Sequence, residues 1–508
     1  MNMQKTFRNP ILTGFYPDPS ICRAGDDYYL VTSTFEYFPG LPVFHSRDLV
    51  HWRPIGHCLT HASQLPLRGA NHWRGIFAPT LRWHDGRFVM ITTNVGGSGH
   101  FFVHAEDPAG DWSDPIPVEG EGFDPDLFFD ADGRTWFSRH AHGDRLGIVL
   151  REIDLSTGRF VGPARRIWRG WEDDLCEAPH LYRIGDWYYL LAAEGGTLRS
   201  HMVTAGRSRA VTGPYEPCPR NPILSHRSRV TEPIQQTGHA DLVQAHDGSW
   251  WIVFLGIRQQ NDLHHHLGRE TFLAPVTWED GWPVVHGGRA VTLEMDVPAL
   301  PPAPWPEAPA RDDFDGAVLA PTWNFRRNPT AGSWSLAERP GSLALFGGAE
   351  TLDEPIEAPV FVGRRQQHFR CAVTACLEFA PRHDGEEAGL SVFQDESHHF
   401  DLALRRRDGR NAIVLHRRVG DLPVQPVVAP YDGPCVVLRI EADENRYRFS
   451  FGENEERRRL LGESLTRYLS TEVAGGFTGT YLALYATGAG RPASVPAFFD
   501  WFDYRETP

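Results

Sequence analysis

Three acidic residues in the first 180 positions share one local grammar. Asp18 lies between Pro17 and Pro19 in "FYPDPSI", Asp124 precedes Pro125 in "GFDPDLFFDADG", and Glu177 precedes Ala178-Pro179 in "CEAPHLYRIGDWYYLL". Each acid is followed by proline within two positions, then by an apolar run, then by a turn of Asp or Gly. Proline removes backbone freedom and a donor, so each carboxylate is fixed in direction just before a strand. Three fixed carboxylates suit glycoside hydrolysis. One acid protonates the leaving oxygen while a second carboxylate activates water from the opposite side. A third can hold the donor protonated, because a nearby like charge disfavours ionisation. Clustered carboxylates also bind metal ions, but these are dispersed singly and no DxDxDG loop gathers them. Asp126 competes with Asp124 for the middle role, since strand alternation puts both on one side.

The elements that must carry these acids are announced by a repeat. A turn containing Asp or Gly, followed by aromatic and β-branched residues, occurs five times in the first 300 residues. The copies are "AGDDYYLVTST", "WHDGRFVMITTN", "DADGRTWFSRH", "IGDWYYLLAAE" and "HDGSWWIVFLG". Asp-Gly before an apolar run signals a hairpin, and the spacing allows about one four-stranded blade per copy. The pattern predicts an all-β fold that begins with a five-bladed β-propeller over residues 1–300. A propeller brings acids that are far apart in sequence to one mouth. Residues 301–310 fall in a proline-rich linker, "DVPALPPAPWPEAPARDDFDG". Alternating runs such as "FRCAVTACLEFA" and "YRFSFGENE" then predict a β-sandwich over 311–508.

Composition narrows the partners. With 41% hydrophobic and 23% charged residues over 508 positions, the chain has ample core material for a globular protein. A formal net charge of -15 argues against nucleic acid, whose phosphates would be repelled. No apolar run is long enough to span a bilayer, so no membrane partner is expected. The seven cysteines lack CxxC spacing, and the N-terminal stretch lacks an apolar leader core. A cytoplasmic protein with reduced thiols is expected, and a homo-oligomer is compatible with the sequence. Aromatics at 12% provide faces that stack on sugar rings.

The ordered set "NPILTGFYPDPSI", "STFEYFPGLPVFHSRDLVHW", "GIFAPTLRWHDGRF", "GFDPDLFFDADG", "CEAPHLYRIGDWYYLLAAEGGT", "TGHADLVQ" and "LGRETFLAPVTWEDGWPVV" resembles glycoside hydrolase family 43. It is most similar to the β-xylosidase-type members, and "FTGTYLALYATG" and "FFDWFDY" carry the likeness to the C-terminus. The resemblance implies a propeller followed by a concanavalin-like jelly roll that packs on it and lends the pocket a loop. It implies Asp18 as general base, Asp124 as the acid that tunes pKa and orientation, and Glu177 as general acid. It also implies Phe35 as an aromatic wall for the terminal sugar, Arg269 as a hydrogen-bond donor to that sugar, and His239 as a group near the axis by an ion or ordered water. Phe477 is its candidate for the residue lent by the sandwich.

No cofactor is needed for catalysis on this reading. Asp313 and Asp500 could share a structural calcium or simply cap turns. The consecutive His264, His265 and His266 read as a loop. Two departures bear on the choice of sugar: Phe77 stands where these enzymes commonly have tryptophan, and "GGTLRSHMVT" brings Arg199 and His201 to a loop that is usually acidic and aromatic. The expected activity is inverting exo-hydrolysis of terminal β-1,4-xylosyl residues from xylo-oligosaccharides, with α-L-arabinofuranosidase side activity. A principal arabinofuranosidase and a non-catalytic glycan-binding propeller are the alternatives.

Overall fold

Each copy of the hairpin repeat turns the chain from the first strand of a sheet into its second. The computed structural model describes residues 6–141, 147–172, 175–260 and 262–508. The first strands are Ser20–Ala24, Thr80–His84, Asp126–Phe129, Cys176–Ile184 and Ile234–Gln244. Each opens an antiparallel sheet of four or five strands. First strands touch their neighbours in sequence order, and the fifth returns to the first, so the sheets close into a ring. These are the five blades that the repeat predicts. The ring is sealed at its ends: Thr6–Arg8 pairs with Glu294–Asp296, and Leu12 bridges to Thr271 in blade five. Apolar faces of adjacent blades fill the space between them, with Tyr28, Leu30, Leu191, Val253 and Phe272 among the fully buried side chains.

The proline-rich linker is not a loose tether. No strand or helix lies between Asp296 and Arg311, yet the segment is held on blade one. The Ala303 N–H donates to Asp48 at 2.7 Å, the Trp305 indole donates to the His45 carbonyl at 3.2 Å, and the Arg53 guanidinium stacks 3.8 Å over Trp305. Beyond it, an eight-stranded and a six-stranded antiparallel sheet enclose a core that includes Val373, Leu390, Leu402, Phe449 and Phe502. The one α-helix among the described residues is the four-residue Thr471–Ala474.

The two domains share backbone pairing and a core. Tyr37–Phe38 of the propeller pairs with Phe325–Arg326 of the sandwich. Arg326, fully buried, donates to Glu36 at 2.8 Å and to Glu396 at 2.6 Å. Tyr37 stacks on Tyr481 at 3.9 Å within a shared cluster that includes Phe15, Phe35 and Phe361. Breaking a buried pair such as Arg326–Glu36 typically costs about 3–5 kcal/mol, so this interface holds a fixed geometry.

Candidate active site

The first strands of the blades share a three-residue step at their start or within them. Asp18-Pro19-Ser20, Ala78-Pro79-Thr80, Asp124-Pro125-Asp126, Ala178-Pro179-His180 and His239-Ala240-Asp241 occupy corresponding positions in blades one to five. The leading residue has left-handed backbone in four of the five: Asp18 (φ 53°), Asp124 (φ 53°), Ala178 (φ 49°) and His239 (φ 47°). That conformation is costly for non-glycine residues and persists where surroundings over-determine it, as at functional sites. Glu177 lies one residue ahead of the leading position, so it reaches the site from a slightly different register than Asp18 and Asp124 do.

The three acids meet, and their surroundings drive them apart in protonation. Burial alone would push the Asp18 carboxyl up, but opposing contacts outweigh it and hold it below its ordinary value. Arg269 Nη1 sits 2.9 Å from Asp18 Oδ1, Ser33 Oγ donates to Oδ2 at 2.5 Å, and His239 Nδ1 lies 3.5 Å away. At Asp124 the Arg269 charge and the Ala178 N–H pull the same way but are outweighed. Burial, then the charges of Glu177 and Asp18, push it well up. Glu177 is pushed up to about 7 by burial and by Asp18, with Arg269 opposing. As neighbouring buried carboxyls, Asp124 and Glu177 cannot easily both be ionised. An ionised carboxylate facing a protonated one is the division of labour that acid–base hydrolysis requires.

Asp126 is the other face of the choice left open by the sequence. Its Oδ1 accepts from Arg82 Nη2 at 2.7 Å and its Oδ2 from the Leu181 N–H at 3.0 Å. Arg82 also reaches Asp241 at 2.9 Å and His180 at 2.9 Å. Ser20 Oγ and Tyr182 Oη donate to Asp241 at 2.7 and 2.5 Å. All five blades thus send a buried polar group to one network at the ring's centre, with Arg82 matching both Asp126 and Asp241. Burial would raise Asp241, but Arg82 prevails and holds it at about 2. The strand alternation argument fails because Asp124, at positive φ, precedes the strand that Asp126 begins.

The pocket wall is aromatic and drawn from both domains. Phe35, Phe77 and Phe477 lie within 5.8 Å of one another by ring centroid. The Arg269 guanidinium sits 5.6 Å from Phe35 and 5.4 Å from Phe477 and donates to the Phe477 carbonyl at 3.3 Å. Phe477 arrives from the sandwich because its N–H donates to the His72 carbonyl at 2.8 Å. Gly268 and Gly479 make the approach feasible: a Cβ on Gly479 would lie 2.3 Å from the Leu267 carbonyl oxygen. The sequence missed Ser33 and Thr197, which donates no charge but accepts from Arg269 at 3.1 Å. It also missed Trp73, 47% exposed and 4.9 Å from Phe477. None of these carries a motif, since their roles come from contacts across loops.

Other expectations fall elsewhere. His201 is buried, with its Nδ1 on the Gln236 carbonyl at 3.1 Å, its ring against Gly238, and Asp18 within its electrostatic reach. Arg199 points to Gln259 at 3.4 Å. His265 and His266 face the sandwich: His265 pairs with Glu472 at 2.8 Å, and the His266 carbonyl accepts from Thr480 Oγ1 at 2.8 Å. Asp313 accepts from Arg311 at 2.7 Å, and Asp500 is exposed. Among the described residues neither belongs to a group of three side chains spaced to hold an ion.

A closed ring of blades with three converging acids and an aromatic, arginine-braced wall defines a propeller glycosidase. Residues 7–283 match glycosyl hydrolases family 43, and residues 311–505 match the beta xylosidase C-terminal concanavalin A-like domain. The chain belongs to family 43. It is 48% identical to a non-reducing end alpha-L-arabinofuranosidase of Bacteroides ovatus over 99% of this chain and 95% of that one. It is 37% identical to a xylan 1,3-beta-xylosidase of a Vibrio species over 99% of this chain and all of that one (100%). Among solved structures, a xylan beta-1,4-xylosidase from Bacillus halodurans superposes with a TM-score of 0.92 at 36% identity, covering 98% of this chain and 100% of that one.

Proposed function

We propose that this glycoside hydrolase is an inverting exo-enzyme that removes terminal β-1,4-linked xylose from xylo-oligosaccharides, with α-L-arabinofuranosidase side activity. Asp18 accepts the proton of the attacking water, Glu177 protonates the leaving oxygen, and Asp124 shares its proton with Glu177 and keeps that pair charged at most once. The observation that carries the reading is the escort of Asp18 by Arg269 at 2.9 Å and Ser33 at 2.5 Å, which holds that carboxyl down, beside Glu177, which burial and the Asp18 charge push up to about 7. The aromatic wall closed by Phe477 and Trp73 supports exo action, because a pocket rimmed from two domains admits a chain end more readily than a chain middle. The seven free cysteines, five of them buried, support a reducing, cytoplasmic setting and short imported substrates.

A principal α-L-arabinofuranosidase is the second reading, favoured by the arabinofuranosidase at 48% identity and by Phe77 in the wall. Side-by-side kcat/KM values for nitrophenyl β-xyloside and nitrophenyl α-arabinofuranoside decide between them. The first reading expects the xyloside to be preferred, and a clear preference for the arabinofuranoside overturns it. NMR of the first-formed sugar checks inversion: the α-anomer should appear first from a β-xyloside.

A further inference from the structure

A second cluster of ionisable side chains lies in the sandwich and takes no part in the pocket. His399 and Asp401 sit two residues apart on the strand His398–Arg407, and Asp401 pairs in register with His416 on Arg410–Val419. Phe400, Leu402 and Leu404 fill the sandwich core, so alternation turns His399, Asp401 and Ala403 to the opposite face. Ala403 there joins the aromatic cluster shared with the propeller. The cluster therefore lies on the propeller side of the six-stranded sheet.

Its side chains are of the types, and lie close enough together, to hold a cation. Asp401 Oδ2 lies 2.8 Å from His399 Nδ1 and 3.4 Å from His416 Nδ1. One ligand atom from each residue falls within 4.8 Å of the others. Nitrogen and oxygen donors on a tetrahedral zinc ion stand about 3.3 Å apart, given bond lengths of about 2.0–2.1 Å. Asp401 Oδ1 is held by Ser391 Oγ at 2.7 Å, which leaves Oδ2 turned between the two imidazoles.

A separate observation comes from the far side of His399. This ring is 1% exposed, and its Nε2 has no hydrogen-bond partner; the nearest carboxylate oxygen, Asp353 Oδ1, is 3.6 Å away. A histidine that ligates through Nδ1 must carry its proton on Nε2. Asp353 then stands where the carboxylate of a carboxylate–histidine–metal relay belongs. The neighbouring groups are Glu387, which accepts from Tyr485 Oη at 2.5 Å, Arg405, 3.3 Å from Glu387, and Arg418, 3.4 Å from Asp353. The His416 side chain is 36% exposed, which provides an entry path.

We propose that His399, Asp401 and His416 form a binding site for a zinc-class divalent cation, with Asp353 orienting His399 from behind. Two imidazoles and one carboxylate select a borderline-soft metal over calcium or magnesium, which prefer all-oxygen sets. The site is structural. Asp353 belongs to the loop whose Glu354, Pro355 and Glu357 carbonyls accept from Arg327, and whose Ile356 carbonyl accepts from the Gly69 N–H at 3.0 Å. A cation here tethers that loop, and through it the chain leading to Trp73, to the sandwich.

The test uses the full-length enzyme, dialysed against EDTA and then equilibrated with micromolar ZnCl2 in excess CaCl2, with metal content read by mass spectrometry. The expected result is about one zinc per chain, a zinc-dependent rise in Tm, and at least a tenfold weaker Kd in His416→Gln. His416 is partly exposed, and unchanged kcat on an aryl glycoside certifies that the variant is folded. His264→Gln, in the other histidine-rich stretch, should bind as the unaltered protein does. Less than half an equivalent in the unaltered protein, or equal affinity in His416→Gln, overturns the proposal.

Discussion

Asp124 and Asp126 stand two residues apart, both almost fully buried, and lead opposite lives. Asp126 belongs to the central network, where Arg82 answers its charge and that of Asp241. Asp124 belongs to the pocket, where Arg269 is already engaged by Asp18, and where Glu177 adds a like charge. Burial is common to both regions, so burial does not make the site. Pairing decides: matched charges yield a rigid hub, and unmatched ones yield groups that hold and release protons near neutral pH. The hub fixes the five strand starts, and the strand starts aim the acids.

Substitutions on either side of that divide should fail in different ways. The largest effect belongs to Asp18→Asn, which leaves no base for water and should lower kcat by about 10²–10⁴-fold; steady-state assays on xylobiose measure it. Asp126→Asn strips Arg82 of a buried partner and should cost about 3–5 kcal/mol in urea unfolding, while the folded fraction keeps its kcat. Asp124→Asn should behave oppositely. Asp124 resists ionisation in the fold but ionises freely on unfolding at neutral pH, so it subtracts stability there, and the amide should leave Tm unchanged or higher. Equal destabilisation by the Asp124 and Asp126 variants would erase the distinction.

A subtler change follows from Arg269, which lowers both Asp18 and Glu177. Arg269→Gln should therefore move both limbs of the pH profile to higher pH as well as raise KM. The smallest effect is expected from Phe477→Ala, which removes one aromatic face from the wall and should raise KM severalfold with little change in kcat.

Much of the blade-and-pocket plan was legible in the chain because its signals are local, whereas the hub of Arg82 and Asp241 was not. The Asp- or Gly-containing turns mark the first hairpin of every blade, and the prolines after Asp18 and Asp124 mark strand starts, whereas Glu177 and Pro179 lie within the strand Cys176–Ile184. What separated Asp124 from Asp126 was not local: it needed Arg82 from blade two and Glu177 from blade four. The family resemblance implied Phe477, but its carbonyl contact with Arg269 depends on Gly268 and Gly479 meeting across domains. His201 was marked only by its departure from the usual loop sequence; its ring packs against Gly238 and lies close enough to Asp18 to help hold that carboxyl down.

The central claim is that Asp18 is ionised and Glu177 protonated in the same pocket at neutral pH. The pH dependence of kcat/KM on xylobiose, set beside that of Glu177→Gln on an activated aryl xyloside, tests it most directly. The account predicts for the unaltered enzyme a bell whose alkaline limb falls near pH 7, as Glu177 loses its proton, and whose acid limb lies below the usual carboxylate range. The alkaline limb should vanish in Glu177→Gln. An alkaline limb that persists in that variant, or an unaltered enzyme whose activity does not fall above neutrality, would contradict it.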